Sequence, residues 1–130
     1  MAGEGAKRRV LIVEDDPDVA RFVELNLGLA GWDVSVIGDG DAVMSQAEEF
    51  LPDVVVLDVM LPNVDGFRIA ECLRANPPTA KAGIVFLTAR GQTQDRVTGL
   101  TIGDEYVVKP FDPEELVIRI EKVWQRVRRR

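Results

Sequence analysis

Three four-residue runs in this chain hold no polar side chain and stop abruptly: Val10–Val13, Val54–Leu57 and Ile84–Leu87. Successive side chains of a strand point to opposite faces, so a strand that is apolar at every position must be covered on both sides. Helices packed on the two faces of a mostly parallel sheet provide that cover. These runs therefore point to an α/β fold before any other residue is considered.

The intervening segments carry the helices that such a sheet needs. Asp16-Pro17 has the form of an N-cap followed by a first helical residue. Val19, Phe22, Val23 and Leu27 then follow at helical spacing, and Gly31 is a C-terminal stop. Trp32–Ile37 alternates, which predicts a second strand near an edge of the sheet. Val43, Ala47 and Phe50 form a short helical stripe that Pro52 ends. A loop with Pro62 and Asp65-Gly66 leads to a helix over Phe67–Ala75, broken by Asn76-Pro77-Pro78. Gln94–Thr101 is a weaker helical segment, and Tyr106–Val108 a short fifth strand. Asp112-Pro113-Glu114-Glu115 starts the last helix, whose apolar face is Leu116, Ile120, Val123, Trp124 and Val127. The result is a strand–helix alternation in one compact domain over residues 9–130. Residues 1–8 are expected to be a disordered N-terminal segment.

Composition removes several kinds of chemistry. The 130 residues include no histidine, which excludes histidine-based acid–base catalysis, Ser-His-Asp triads and most zinc sites. Any phosphohistidine involved must belong to a partner. The single cysteine, Cys72, cannot form an internal disulfide; it implies a reducing, cytoplasmic setting and is expected to be a buried structural thiol. No apolar run approaches the ~18 residues that would span a membrane. Seven of the 16 basic residues lie at the two ends, so Val10–Gln125 holds nine against 21 acidic ones, a net of −12. That body should repel nucleic acid, and the arginines at the C-terminal end are expected to be the solvated end of a helix.

The polar residues with chemical potential gather at strand ends. Glu14 and Asp15 follow the first strand, Asp58 the third, Thr88 the fourth and Lys109 the fifth. In an open parallel sheet the ligand crevice lies outside those ends, where the strand order reverses. Crowded carboxylates repel unless a cation neutralises them. Oxygen ligands, waters and a phosphate suit Mg²⁺. One free carboxylate can act as a nucleophile, and an opposing lysine and hydroxyl can bind phosphoryl oxygens. Each residue alone has a plainer reading, as a helix cap, a solvated turn or a surface side chain. Their joint occurrence favours metal-assisted phosphoryl transfer to an aspartate.

Leu11–Asp16 (LIVEDD), Val56–Gly66 (VLDVMLPNVDG), Phe86–Arg90 (FLTAR) and Tyr106–Phe111 (YVVKPF) resemble the motifs of response-regulator receiver domains of two-component signalling, in the family's order and close to its spacing. The resemblance implies a flavodoxin-like (βα)5 doubly wound fold with a five-stranded parallel sheet in order 2-1-3-4-5. It makes Asp58 the phosphorylation site, supplied by a sensor histidine kinase or a phosphotransfer protein. Glu14, Asp15, Asp58 and the backbone carbonyl of Met60 would hold Mg²⁺, Thr88 and Lys109 would hold the phosphoryl oxygens, and Thr88 and Tyr106 would form the switch. Asp16 aligns one position beyond the metal pair and fits a helix cap. The Lys109–Pro110 bond would be cis. Met60 and Arg90, two residues after Asp58 and Thr88, would flank the path of attacking water and slow hydrolysis.

Asp95-Arg96-Val97, Gly99-Leu100 and Glu115–Ile120 (ELVIRI) resemble receivers of OmpR/PhoB-type transcription factors. That likeness implies a phosphorylation-dependent homodimer in which Arg96 meets Glu115 and Glu105 meets Arg119, with Val97 and Leu116 adding apolar contact. One departure falls here: Gly103-Asp104-Glu105-Tyr106 is one residue shorter than the family's usual Gly-Ala-Asp-Asp-Tyr. Rival readings are a flavin- or nucleotide-binding domain, a phosphatase with an aspartate nucleophile, and a receiver-like module that binds partners without phosphorylation. The acidic loop after the first strand opposes the first, and Glu14-Asp15-Asp16, directly after that strand, does not fit the Asp-x-Asp pattern of the second.

Overall fold

A computed structural model describes residues 7–130 of the chain. Seven strands and five α-helices follow in the order β1 (Arg9–Val13), α1 (Pro17–Leu29), β2 (Asp33–Ile37), α2 (Val43–Phe50), β3 (Val54–Leu57), β4 (Met60–Leu61), β5 (Val64–Asp65), α3 (Gly66–Ala75), β6 (Gly83–Thr88), α4 (Thr93–Ile102), β7 (Glu105–Val108) and α5 (Pro113–Val127). Five strands pair in parallel in the order β2-β1-β3-β6-β7. Counted without the antiparallel hairpin β4–β5, that is the expected order 2-1-3-4-5, the flavodoxin-like arrangement.

The continuous apolar runs are buried on both faces, as their composition demands. Leu11, Val13, Val55, Leu57, Ile84 and Phe86 face Val43 and Ala47 of α2 and Phe67, Ile69, Ala70 and Leu73 of α3. Val10, Ile12, Val54, Val56, Val85 and Leu87 face Val23 and Leu27 of α1 and Leu116, Ile120 and Val123 of α5. Truncating one such side chain, Leu11 or Phe86, to alanine would cost about 2–5 kcal/mol. β2 has an open side and only partial burial, in keeping with its alternating sequence. The helix signals act as expected: Asp16 accepts from Asp18 N–H and Val19 N–H, Asp112 from Glu114 N–H and Glu115 N–H, and Gly31 has φ 94° just after α1.

Several sequence expectations need correction. The loop after β3 contains the hairpin β4–β5, whose two-residue strands are too short to show a period. Cys72 is exposed rather than buried, because Ile69, Ala70 and Leu73 set the inward face of α3 and Cys72 lies off it. Leu116 belongs to the core between α5 and the sheet and is not available to a surface contact. The C-terminal arginines are more than a solvated helix end: Arg126 donates to the Asp104 carbonyl, and Arg130 donates to both Asp104 carboxylate oxygens. At the other terminus Met1–Ala6 lie outside the described residues. Arg8, assigned to the disordered segment, stacks between Trp32 and Trp124 at 4.5 and 5.1 Å from their ring centroids.

Candidate functional site

β1 and β3 are neighbours, yet the chain crosses from β1 to the outer β2 before returning to β3, so a crevice opens beyond their C-terminal ends. Each of the five expected residues comes to that end of the sheet. Glu14 follows β1 and is anchored by its N–H to Ile37 O, while its Oε2 accepts from Asp16 N–H. Asp58 follows β3, with its N–H bonded to Val13 O. Oxygens of Glu14, Asp15 and Asp58 lie within 4.8 Å of one another. Glu14 and Asp58 are buried; Asp15 is exposed, open to solvent at the rim.

Lys109 reaches the two buried acids from the end of β7. Its Nζ donates to Glu14 Oε1 at 2.6 Å and to Asp58 Oδ2 at 2.9 Å. Its backbone N–H bonds Thr88 O, which ties the ends of β6 and β7 together, and the Lys109–Pro110 peptide is cis. Burial pushes the Glu14 carboxyl above its ordinary value, and the nearby Asp58 charge adds to the rise, against the hydrogen bonds from Lys109 and Asp16. For Lys109, burial favours the neutral amine, but its two carboxylate partners outweigh that and hold the ammonium above its ordinary value.

Three carboxylates facing one ammonium leave two formal negative charges unmatched when all are ionised. The donors are all hard oxygen atoms, one of them on an exposed residue that leaves room for water. Such a set fits a small divalent cation of the Mg²⁺ type. Met60 stands next to it in β4, its N–H donating to Asp58 Oδ1 at 2.9 Å and its side chain exposed. Gly66 closes the loop: its N–H bonds Val59 O, and a Cβ here would collide with the Asp58 carbonyl oxygen and Val59 Cα. Only glycine lets the start of α3 pass so close beneath the acid.

Thr88 is buried at the end of β6, where its Oγ1 accepts from Arg90 N–H at 3.3 Å. Tyr106 is buried too, with its ring against Phe86 and its hydroxyl donating to Arg90 O at 2.5 Å; burial holds the phenol above its ordinary value. Of the expected interface set, Arg96 and Glu115 are exposed and Glu105 and Arg119 partly so. Arg119 is already paired inside the chain, with Glu115 at 2.9 Å and Glu105 at 3.5 Å. Sequence reasoning assigned no role to Asp95, which is buried on α4 and paired with Arg90. A carboxylate in the first turn of a helix gave no signal of its own, since the same residue type is ordinary there.

The response regulator receiver domain model matches residues 10–121. The chain is 42% identical over 122 residues to the DNA-binding dual master transcriptional regulator RpaA of Synechocystis sp., covering 93% of this chain and 51% of that one. It is 44% identical over 124 residues to the transcriptional regulatory protein TrcR of Mycobacterium tuberculosis, covering 95% and 48%. Among solved structures, the Francisella response regulator 1452 receiver domain superposes with TM-score 0.84 at 30% identity, over 92% of this chain and 98% of that one. The activated N-terminal receiver domain of Klebsiella pneumoniae RstA does so with TM-score 0.84 at 29% identity, over 91% and 99%. The chain belongs to the receiver-domain family of two-component response regulators, and its likeness to OmpR/PhoB-type members agrees with the motifs of α4 and α5. It spans about half the length of the two regulators, RpaA and TrcR. No helix among the described residues is long and apolar enough to cross a membrane.

Proposed function

We propose that Asp58 accepts a phosphoryl group from the phosphohistidine of a sensor histidine kinase or phosphotransfer protein. The observation that carries this reading is the position of Asp58: buried at a strand end, bonded by Lys109, and within 4.8 Å of two further carboxylates. An oxygen of Asp58 forms the new P–O bond as the donor's P–N bond breaks, and the imidazole leaves with the bonding electron pair and takes up a proton. Glu14, Asp15, Asp58 and the Met60 carbonyl would hold Mg²⁺, which supplies charge neutralisation to the incoming phosphoryl oxygens. Lys109 donates to a phosphoryl oxygen, and the Thr88 hydroxyl turns from Arg90 N–H to another. Water later attacks phosphorus to return the free carboxylate, screened by Met60 and Arg90.

The product is a conformation rather than a released metabolite. Movement of Thr88 is passed to Tyr106 and so to the surface of α4, β7 and α5, where Arg96, Glu105, Glu115 and Arg119 would meet a second copy. Because RpaA and TrcR are named as transcriptional regulators, the reading extends to control of transcription by a chain that contains this domain. The domain itself would work in the cytoplasm and leave DNA contact to other parts.

The test is incubation of the purified chain with a small phosphodonor and Mg²⁺, read by intact mass. One added phosphoryl group in the native chain and none in Asp58→Asn is expected. Equal labelling of the variant overturns the assignment, and no labelling of either favours a module that binds partners without phosphorylation.

A further inference from the structure

Arg90 uses all three of its polar parts on different pieces of the molecule. Its N–H donates to the Thr88 hydroxyl at 3.3 Å, and its carbonyl accepts from the Tyr106 hydroxyl. Its guanidinium binds Asp95 Oδ1 through Nε at 3.2 Å and through Nη2 at 3.0 Å, and lies 5.5 Å from the Phe67 ring centroid. Asp95 sits in the first turn of α4 and is 7% exposed, so Arg90 neutralises an almost fully buried carboxylate. The arginine side chain is 44% exposed, and it lines the same cavity as Asp15 and Met60. One cation therefore stands between the acids of the crevice and a buried acid on the adjoining helix.

α4 has few other fasteners at this end. Its N-cap residue, Gln92, makes no side-chain capping bond, and Val97 and Leu100 on the helix face solvent. Its close contact is Gly99 on the Tyr106 ring, where a Cβ would lie 2.5 Å from the ring edge. Tyr106 is in turn held by the Arg90 carbonyl. The seat of α4 thus depends on Arg90 twice, directly through Asp95 and indirectly through Tyr106.

We propose that the Arg90 guanidinium has two alternative anions, Asp95 and the phosphoryl group on Asp58, and that moving from the first to the second is what unseats α4. This rests on Asp58 being the acceptor. A phosphoryl group offers a guanidinium doubly charged, bidentate recognition, which a single carboxylate oxygen shared by Nε and Nη2 does not match. When the arginine leaves, Asp95 is a buried charge without its cation, an expensive state that is relieved when the start of α4 shifts to admit water. The same movement draws Arg90 N–H away from Thr88 and frees that hydroxyl for the phosphoryl group. Charge at Asp58 is in this way read out as displacement of a helix that does not touch it.

Linkage gives the test its sign: whatever weakens the hold of Asp95 on an intact Arg90 must strengthen binding at the acceptor, whereas loss of Arg90 itself must weaken it. The 130-residue chain is titrated with beryllium fluoride and Mg²⁺, a phosphoryl mimic, and followed by amide and arginine Nε–H resonances. Saturation should move the Arg90 Nε–H signal together with the amides of Asp95–Gly99. Asp95→Asn, nearly isosteric but uncharged, should lower the half-saturating mimic concentration about fivefold. Arg90→Ala should raise it about tenfold, with part of the loss restored by Arg90→Lys, which keeps the charge without the fork. An Arg90 signal unmoved at saturation overturns the exchange, as does an Asp95→Asn variant with unchanged or weaker binding. If the native chain binds no mimic, the acceptor assignment fails instead, and the exchange with it.

Discussion

The two ends of the sheet bury acid under opposite conditions. At the C-terminal ends of the strands, Glu14 and Asp58 share one ammonium, and burial drives the Glu14 carboxyl up. At the N-terminal ends, Asp104 lies among Arg74 Nη2 at 2.8 Å, Arg130 Nη1 at 2.8 Å and Ile84 N–H at 2.9 Å. Burial would raise the Asp104 carboxyl as well, but Arg130, the Ile84 amide and Arg74 outweigh it and hold it below its ordinary value. One end is saturated with counter-charge and fastens the fold. The other is left short of positive charge, which costs stability and creates demand for a metal ion and a phosphoryl group.

The largest expected effect separates the two ends by chemistry. Asp58→Asn should abolish phosphorylation by a small donor and, by removing one of the competing charges, raise stability by about 1 kcal/mol. Intact mass and urea unfolding measure the two outcomes on one sample; a variant that is inert and less stable would contradict the idea of unmet charge. Asp15→Ala should weaken Mg²⁺ binding about tenfold or more by calorimetry, since the protein offers few ligands and each matters. Unchanged Mg²⁺ affinity would place the metal elsewhere.

At the opposite end the signs reverse. Asp104→Asn should destabilise the chain by about 3 kcal/mol, because it leaves the partly buried Arg74 guanidinium with only carbonyl acceptors and no carboxylate among the described residues, and loosens Arg130. Labelling of Asp58 should be unaffected. The pH dependence follows from the lowered carboxyl. Its contribution is fully present above the ordinary carboxylate value and is lost as pH falls through the lower folded-state value. Stability of the native chain should therefore drop more steeply on acidification than that of Asp104→Asn, and chemical denaturation across the acid range would detect curves that instead run parallel.

The functional end was far more legible in the sequence than the fastened one. Glu14, Asp15, Asp58, Thr88 and Lys109 each follow an apolar strand run, so strand patterning alone places them together. Asp104 was visible only as the site of a shortened loop, because its partners lie 30 and 26 residues away, on α3 and just past the end of α5, and their approach is a tertiary matter. Exposed Cys72 and buried Leu116 show the same limit at single-residue scale. An apolar neighbourhood in sequence does not decide which side of a helix faces the sheet, and a motif likeness does not decide whether its leucine is free. The hairpin at Met60 and Asp65 failed for a simpler reason, since two residues carry no period.

The smallest expected effect concerns the surface that joins the two ends, formed by α4, β7 and α5. Receiver-type dimerisation would set Arg96 against Glu115 and Glu105 against Arg119 of a second copy. In the free chain Arg119 already holds both of those acids, at 2.9 Å and 3.5 Å, and the Glu115 hydrogen bond, ahead of the Glu105 and Glu115 charges, raises its guanidinium above an already high ordinary value. Association would exchange these partners rather than add new ones, so each pair contributes at the low end of the ~0.2–1 kcal/mol seen for exposed ion pairs. Two-fold symmetry repeats every pair, which fixes register more than strength. With Leu116 in the core, the apolar contact must come from Val97 and Leu100, 61% and 50% exposed on α4. Sedimentation velocity with beryllium fluoride and Mg²⁺ should show more dimer than without. Arg119→Glu should weaken that dimer only about fivefold, in line with a loss of roughly 1 kcal/mol, whereas Leu100→Asp should remove it. A dimer indifferent to both substitutions would mean that this face is not the one used.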